Sequence, residues 1–140
     1  MSIAKSYDYY NHSAPAPGTT YTAGAVSTTA AGTVIPVAAG AGTGATTSII
    51  TGSTPNDTRG QFNLVTAGSP AAGVVSTVFF SNPYGVLPGA VIVTAVDTTA
   101  SPVAPVKVSA SSVTQTGFNI TTDASLTASH TITINYVVVA

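Results

Sequence analysis

SHTITINYVVV, residues 129–139, is the stretch on which the fold turns. Ile132, Ile134, Tyr136 and Val138 alternate with Thr131, Thr133 and Asn135. Successive side chains of a strand point to opposite faces, so this period of two sends an apolar row toward a core and a polar row toward solvent. The run before it repeats the pattern, with Phe118 and Ile120 on one face and Asn119 and Thr121 on the other. Residues 123–128 form a hairpin-sized connection between the two runs, which predicts that these strands pair with each other. Gly117, in TQTGFNI, suits a turn or bulge ahead of Phe118.

Working back toward the N-terminus, strand-sized apolar runs bounded by turn residues recur as far as Arg59. They predict strands over 60–66, 73–81, 89–96, 105–111, 116–122 and 129–139, with Asn82-Pro83 and Leu87-Pro88 marking the loop between the second and third. Six short strands at this spacing are the pattern of a sandwich or barrel. The expected fold class is all-β: a small antiparallel β-sandwich over 58–140, preceded by an extended, low-complexity N-terminal arm over 1–57. The arm is almost all Gly, Ala, Thr, Ser and Val, and its Gly and Pro interrupt any helical period. Residues 32–37 and 46–51 have the β-branched content of strands. Extended segments leave backbone donors and acceptors unpaired, and joining a sheet edge, another chain's included, satisfies them. Asp57, in TPNDTRG, is expected to form a turn by bonding nearby backbone N–H groups.

Composition narrows the function. Charged residues are 5% of the 140, against about 25% in an ordinary soluble protein, so the usual solubilising coat is missing. Lys5, Arg59 and Lys107 oppose Asp8, Asp57, Asp97 and Asp123, giving a net charge of -1 with no glutamate. Near-zero charge favours association. Three isolated cations cannot neutralise a run of phosphates, which excludes nucleic acid as a partner. The absence of cysteine removes disulfides and thiolate metal sites. Mean hydropathy is +0.42, yet the apolar runs fall far short of the roughly 20 residues of a spanning helix, so no membrane partner is expected. MSIAKSYDYYNHS places polar and aromatic residues where a secretory signal needs an apolar core, so no signal peptide is expected.

Catalysis needs a base that titrates near neutrality, and the histidines, His12 and His130, sit in no recognisable constellation. There is no nucleophile elbow. The aspartates lack the spacing of a zinc or calcium site. The expectation is therefore a protein that is not an enzyme and has no catalytic residues, metal or cofactor. Sequons at Asn11, Asn56 and Asn119 are what chance supplies in so Ser- and Thr-rich a chain. The cluster around Tyr7, Tyr9, Tyr10 and His12 is the most interface-like text, because tyrosine offers large contact area with a polar tip. With Tyr21, these are the candidate partner-anchoring residues.

SPAAGVVSTVFFSNPYGVLPGAVIVT, followed by VKVSASSVTQTGFNITTDASLTASHTITINYVVV, resembles a small β-sandwich module of tailed-bacteriophage virion proteins. That module recurs in fibre, collar and head-decoration proteins, and the resemblance covers roughly 59–140. It carries a strand pattern and no catalytic signature. The resemblance implies a capsid decoration, or cement, protein on the exterior of the virion head, a homotrimer bound to the major capsid protein. The alternative it implies is a tail-fibre or receptor-binding component that presents the sandwich to a host glycan or protein.

Overall fold

A computed structural model of the chain describes residues 35–140 apart from Thr54. Eight strands follow a short 3-10 turn: β1 Thr46–Ile49, β2 Arg59–Val65, β3 Gly73–Phe79, β4 Ala90–Asp97, β5 Ala104–Val106, β6 Val108–Thr114, β7 Gly117–Thr122 and β8 Thr131–Val139. They form two antiparallel sheets, in the order β1-β2-β8-β4-β5 and β3-β7-β6. The fold is all-β and sandwich-like, as the alternation predicts.

The inward rows supply the core. Ile132, Ile134, Tyr136 and Val138 of β8 are buried, as are Phe118 and Ile120 of β7, Phe62 and Leu64 of β2, and Val75 and Val78 of β3. Each such side chain contributes about 1.5–3 kcal/mol by leaving water. A line of rings crosses the core: Tyr84 meets Phe80 at 4.9 Å, Phe80 meets Phe118 at 6.0 Å, and Phe118 meets Tyr136 at 5.5 Å. Gly60 stands opposite Tyr136 in the register, and a Cβ there would lie 2.5 Å from the ring. The missing side chain is what lets Tyr136 lie flat over β2 and donate its hydroxyl to the Asn56 carbonyl at 2.7 Å.

The predicted pairing of the last two strands is not what forms. β8 pairs with β2 and β4, whereas β7 pairs with β3 and β6, so the two lie in opposite sheets. Residues 123–128 cross the sandwich instead of closing a hairpin, and Leu126 packs against the core on the way. The Phe118–Tyr136 contact therefore runs between sheets. The actual hairpin is β6–β7, turned by Gln115 and Thr116. Gly117 follows that turn, where a Cβ would come within 2.3 Å of the Val78 carbonyl. The strand expected over 105–111 divides at Lys107, with β5 in one sheet and β6 in the other, so one bent strand forms a corner of the sandwich.

Within the span assigned to the arm, residues 1–34 and Thr54 lie outside the described residues, and Ile35, Val37, Ala41 and Ala45 pack on the sandwich. Ile35 is fully buried and Ala41 joins it in the core. Residues 36–38 run along the β3 edge: Ala38 N–H donates to the Val75 carbonyl at 3.0 Å, Thr77 N–H to Pro36 at 3.2 Å, and Val37 bridges Ser76. Thr47 Oγ1 donates to the Ile35 carbonyl at 2.6 Å, and β1 completes one edge of the larger sheet. The sheet addition expected of this text thus occurs within the chain for residues 36–38 and for β1. Gly42 holds the bend between these pieces at φ +92°, in the left-handed region that a side chain disfavours.

Candidate functional site

The turn ahead of β2 positions the side chains that matter most at the surface. Asn56 Oδ1 accepts from the N–H groups of Thr58 and Arg59, both at 2.9 Å, so the local turn former is Asn56. Asp57, expected in that role, instead points inward, fully buried. Its Oδ1 accepts from Ser81 N–H at 2.8 Å and its Oδ2 from Asn82 N–H at 3.0 Å, while its carbonyl accepts from the Tyr84 hydroxyl at 2.9 Å. Burial, and then the charge of Asp57 and of Tyr84, raise the Tyr136 phenol well above its ordinary value, so it remains a donor throughout the working range. This network ties the 56–59 turn to the 80–84 loop and fixes where β2 starts.

On the outer face of the five-stranded sheet, register puts Arg59, Val137 and Ile92 in one row, Gln61, Asn135 and Thr94 in the next, and Asn63, Thr133 and Val96 in the third. Val139 and Ala90 pair at the β8 end. The face is graded. Ile92 is 58% exposed, Val137 46% and Val139 47%, and the loop entering β4 carries Val86 and Leu87, both exposed. Exposed apolar groups gathered on one face mark interaction sites on soluble proteins. Beside them, Ser53, Arg59, Gln61, Asn135, Tyr136 and Val137 line a shallow groove of about 310 Å³.

The outer face of the three-stranded sheet differs. There Thr77 Oγ1 donates to Asn119 Oδ1 at 2.8 Å and Ser111 bonds Thr121 at 2.6 Å, so its polar groups satisfy one another. Phe79, 46% exposed, stands at the end of that face.

His130 and Asp97, which show no relation in the sequence, come together at 2.6 Å between Nδ1 and Oδ2. Asp97 Oδ1 also accepts from Thr99 and Ala100 N–H, both at 3.0 Å. Burial pushes this carboxyl up, but the His130 hydrogen bond and the Ala100 and Thr99 amides outweigh it and hold the group below its ordinary value of 3.8. An ionised carboxylate only accepts, so Nδ1 carries the proton. The pair fastens the end of β4 to the start of β8, where Thr98 N–H donates to the Thr131 carbonyl at 2.9 Å. Because the folded value is depressed, the stabilisation is present above 3.8 and is lost as pH falls through the lowered value. Thermal melts from neutral pH down to about pH 2 should show Asp97→Asn lowering stability at neutral pH and flattening the acid-side loss. Parallel curves for the two proteins would exclude this role.

Lys107 pairs with Asp123 across exposed surface. Among the described residues, Arg59 is thus the one charged side chain without a hydrogen-bond or ion-pair partner. Among those residues no group of three or more His, Cys, Asp and Glu could hold a metal ion, and no helix is long and apolar enough to cross a membrane. Tyr7, Tyr9, Tyr10, His12 and Tyr21, the residues expected to anchor a partner, lie outside the described residues. The graded face was missed because the alternation that reveals β8 marks Val137 and Val139 as outward without showing which strands flank them.

No protein family, curated protein or solved structure matches the chain.

Proposed function

We propose that this chain is a structural virion protein, a capsid decoration protein that binds the outside of a phage head as a homotrimer and reinforces the shell. The observation that carries a docking role is the group of exposed apolar residues Ile92, Val137 and Val139 on one sheet face in a chain with 5% charged residues. Sequence resemblance to head-decoration modules supplies the virion setting. Among the described residues, His130 and Asp97 act in a clasp between strands, which supports a structural role for this pair over a catalytic one.

Binding through such a face rests on apolar and backbone contacts. Burying about 800 Å² per subunit gives a gross driving force on the order of 20 kcal/mol, much of it offset by ordering costs. Surface ion pairs add only about 0–1 kcal/mol and are screened over about 10 Å at 0.1 M salt. Purified particles washed through a salt series should therefore keep the protein, whereas urea, which weakens apolar and peptide-group burial alike, should release it. Release by moderate salt, with urea doing no more, would refute this mode of attachment. Saturable binding of the purified protein to host cells, with none to heads, would favour a tail-fibre role instead.

A further inference from the structure

We infer that the groove beside Arg59 receives an extended peptide segment of the docking partner that carries a carboxylate next to an aliphatic side chain. This rests on the docking role proposed above and names the chemistry of the partner at that face.

Among the described residues, Lys107 is matched by Asp123, Asp97 by His130, and Asp57 by two backbone amides, which leaves the Arg59 guanidinium unpaired at the groove mouth. A guanidinium is a planar fork of donors suited to a carboxylate, which it binds through two parallel hydrogen bonds. Gln61 and Asn135 stand directly opposite each other, half-buried, and neither side-chain amide has a hydrogen-bond partner among the described residues. In the adjacent row, Thr133 donates to Asn63 Oδ1 at 2.9 Å, so that row is closed on itself. The Gln61–Asn135 row is open. Two free amides present donors and acceptors together, the complement of a peptide group.

The third element is apolar. Val137 shares the Arg59 row and Ile92 lies next to it across β8 and β4, so a carboxylate on Arg59 brings a neighbouring aliphatic side chain over exposed Val137 and Ile92. The pocket near Asp97 lacks this character, since Lys107 and Asp123 on its rim already satisfy each other. A single guanidinium–carboxylate pair beside apolar contacts leaves attachment only weakly dependent on salt, in keeping with the expected wash series.

The test pans a displayed random dodecamer peptide library on the purified full chain, with counter-selection on Arg59→Gln. Arg59 is exposed, so the variant should melt with the wild type. Enriched peptides should carry Asp or Glu beside Val, Ile or Leu. A synthetic peptide from that set should bind Arg59→Gln about tenfold more weakly, with Arg59→Lys between the two. Its amide-for-acid version should lose a similar factor, and the acid form should shift the NMR side-chain amide signals of Gln61 and Asn135. Failure to enrich acidic peptides, binding indifferent to Arg59→Gln, or shifts confined to other surfaces would overturn the inference. Particle binding separates it from the parent proposal. Heads that hold Arg59→Gln as tightly as wild type remove the groove and leave decoration intact. Acidic-peptide binding by a protein that ignores heads does the reverse.

Discussion

Replacing Ile35 with alanine is expected to destabilise the protein by about 2–5 kcal/mol, the cost of truncating a core isoleucine or leucine. The expectation is sharp because the surrounding text, GTVIPVAAGAGTG, has nothing else of comparable bulk. Ile35 has no exposed surface, its carbonyl accepts from Thr47 Oγ1, and residues 36–38 are bonded along β3, so the chain around it has little freedom to collapse into the hole. Ile49→Ala is the control, since Ile49 lies on β1, whose Thr47 bonds the Ile35 carbonyl, but is 36% exposed and should cost much less. Urea unfolding at constant slope gives the comparison. If Ile35→Ala matches Ile49→Ala, residues 35–38 do not hold to the sandwich in solution. A full loss with a single transition shows that the cooperative unit begins at or before Ile35.

Asp57→Ala should be comparably severe, about 2–5 kcal/mol, by a different mechanism. The fully buried carboxylate is the acceptor for Ser81 and Asn82 N–H, and its removal breaks two hydrogen bonds to a charged group, worth about 1.5–3 kcal/mol each less what water restores at these exposed residues. The cavity adds to this. Asp57→Asn is the informative companion: it keeps the shape and one acceptor oxygen, but sets an NH₂ group against one of the two amides. It should therefore recover part of the loss. Asp123→Ala, on an exposed aspartate, should leave stability nearly unchanged. Equal, small effects at Asp57 and Asp123 would mean that water reaches the 80–84 loop and serves its amides as well as Asp57 does.

What the sequence determined by itself is which side chains face inward. Phe118, Ile120, Ile132, Ile134, Tyr136 and Val138 are all buried, as their alternation requires, because the period of two follows from extended backbone geometry and needs no knowledge of neighbours. The all-β class follows for the same reason, and so does the loop marked by Asn82-Pro83 and Leu87-Pro88. What only the tertiary structure decided is which strand lies beside which. β7 and β8 satisfy the same pattern whether they pair in one sheet or face each other across the core, since backbone hydrogen bonds leave no mark on side-chain identity. Asn56 and Asp57 are adjacent and chemically alike, yet one closes a local turn and the other reaches amides 24 and 25 residues away, a choice made by where the 80–84 loop lands. The groove and the apolar patch beside it arise in the same way: Arg59, Gln61, Asn135 and Ile92 come from three strands, and only register makes them neighbours.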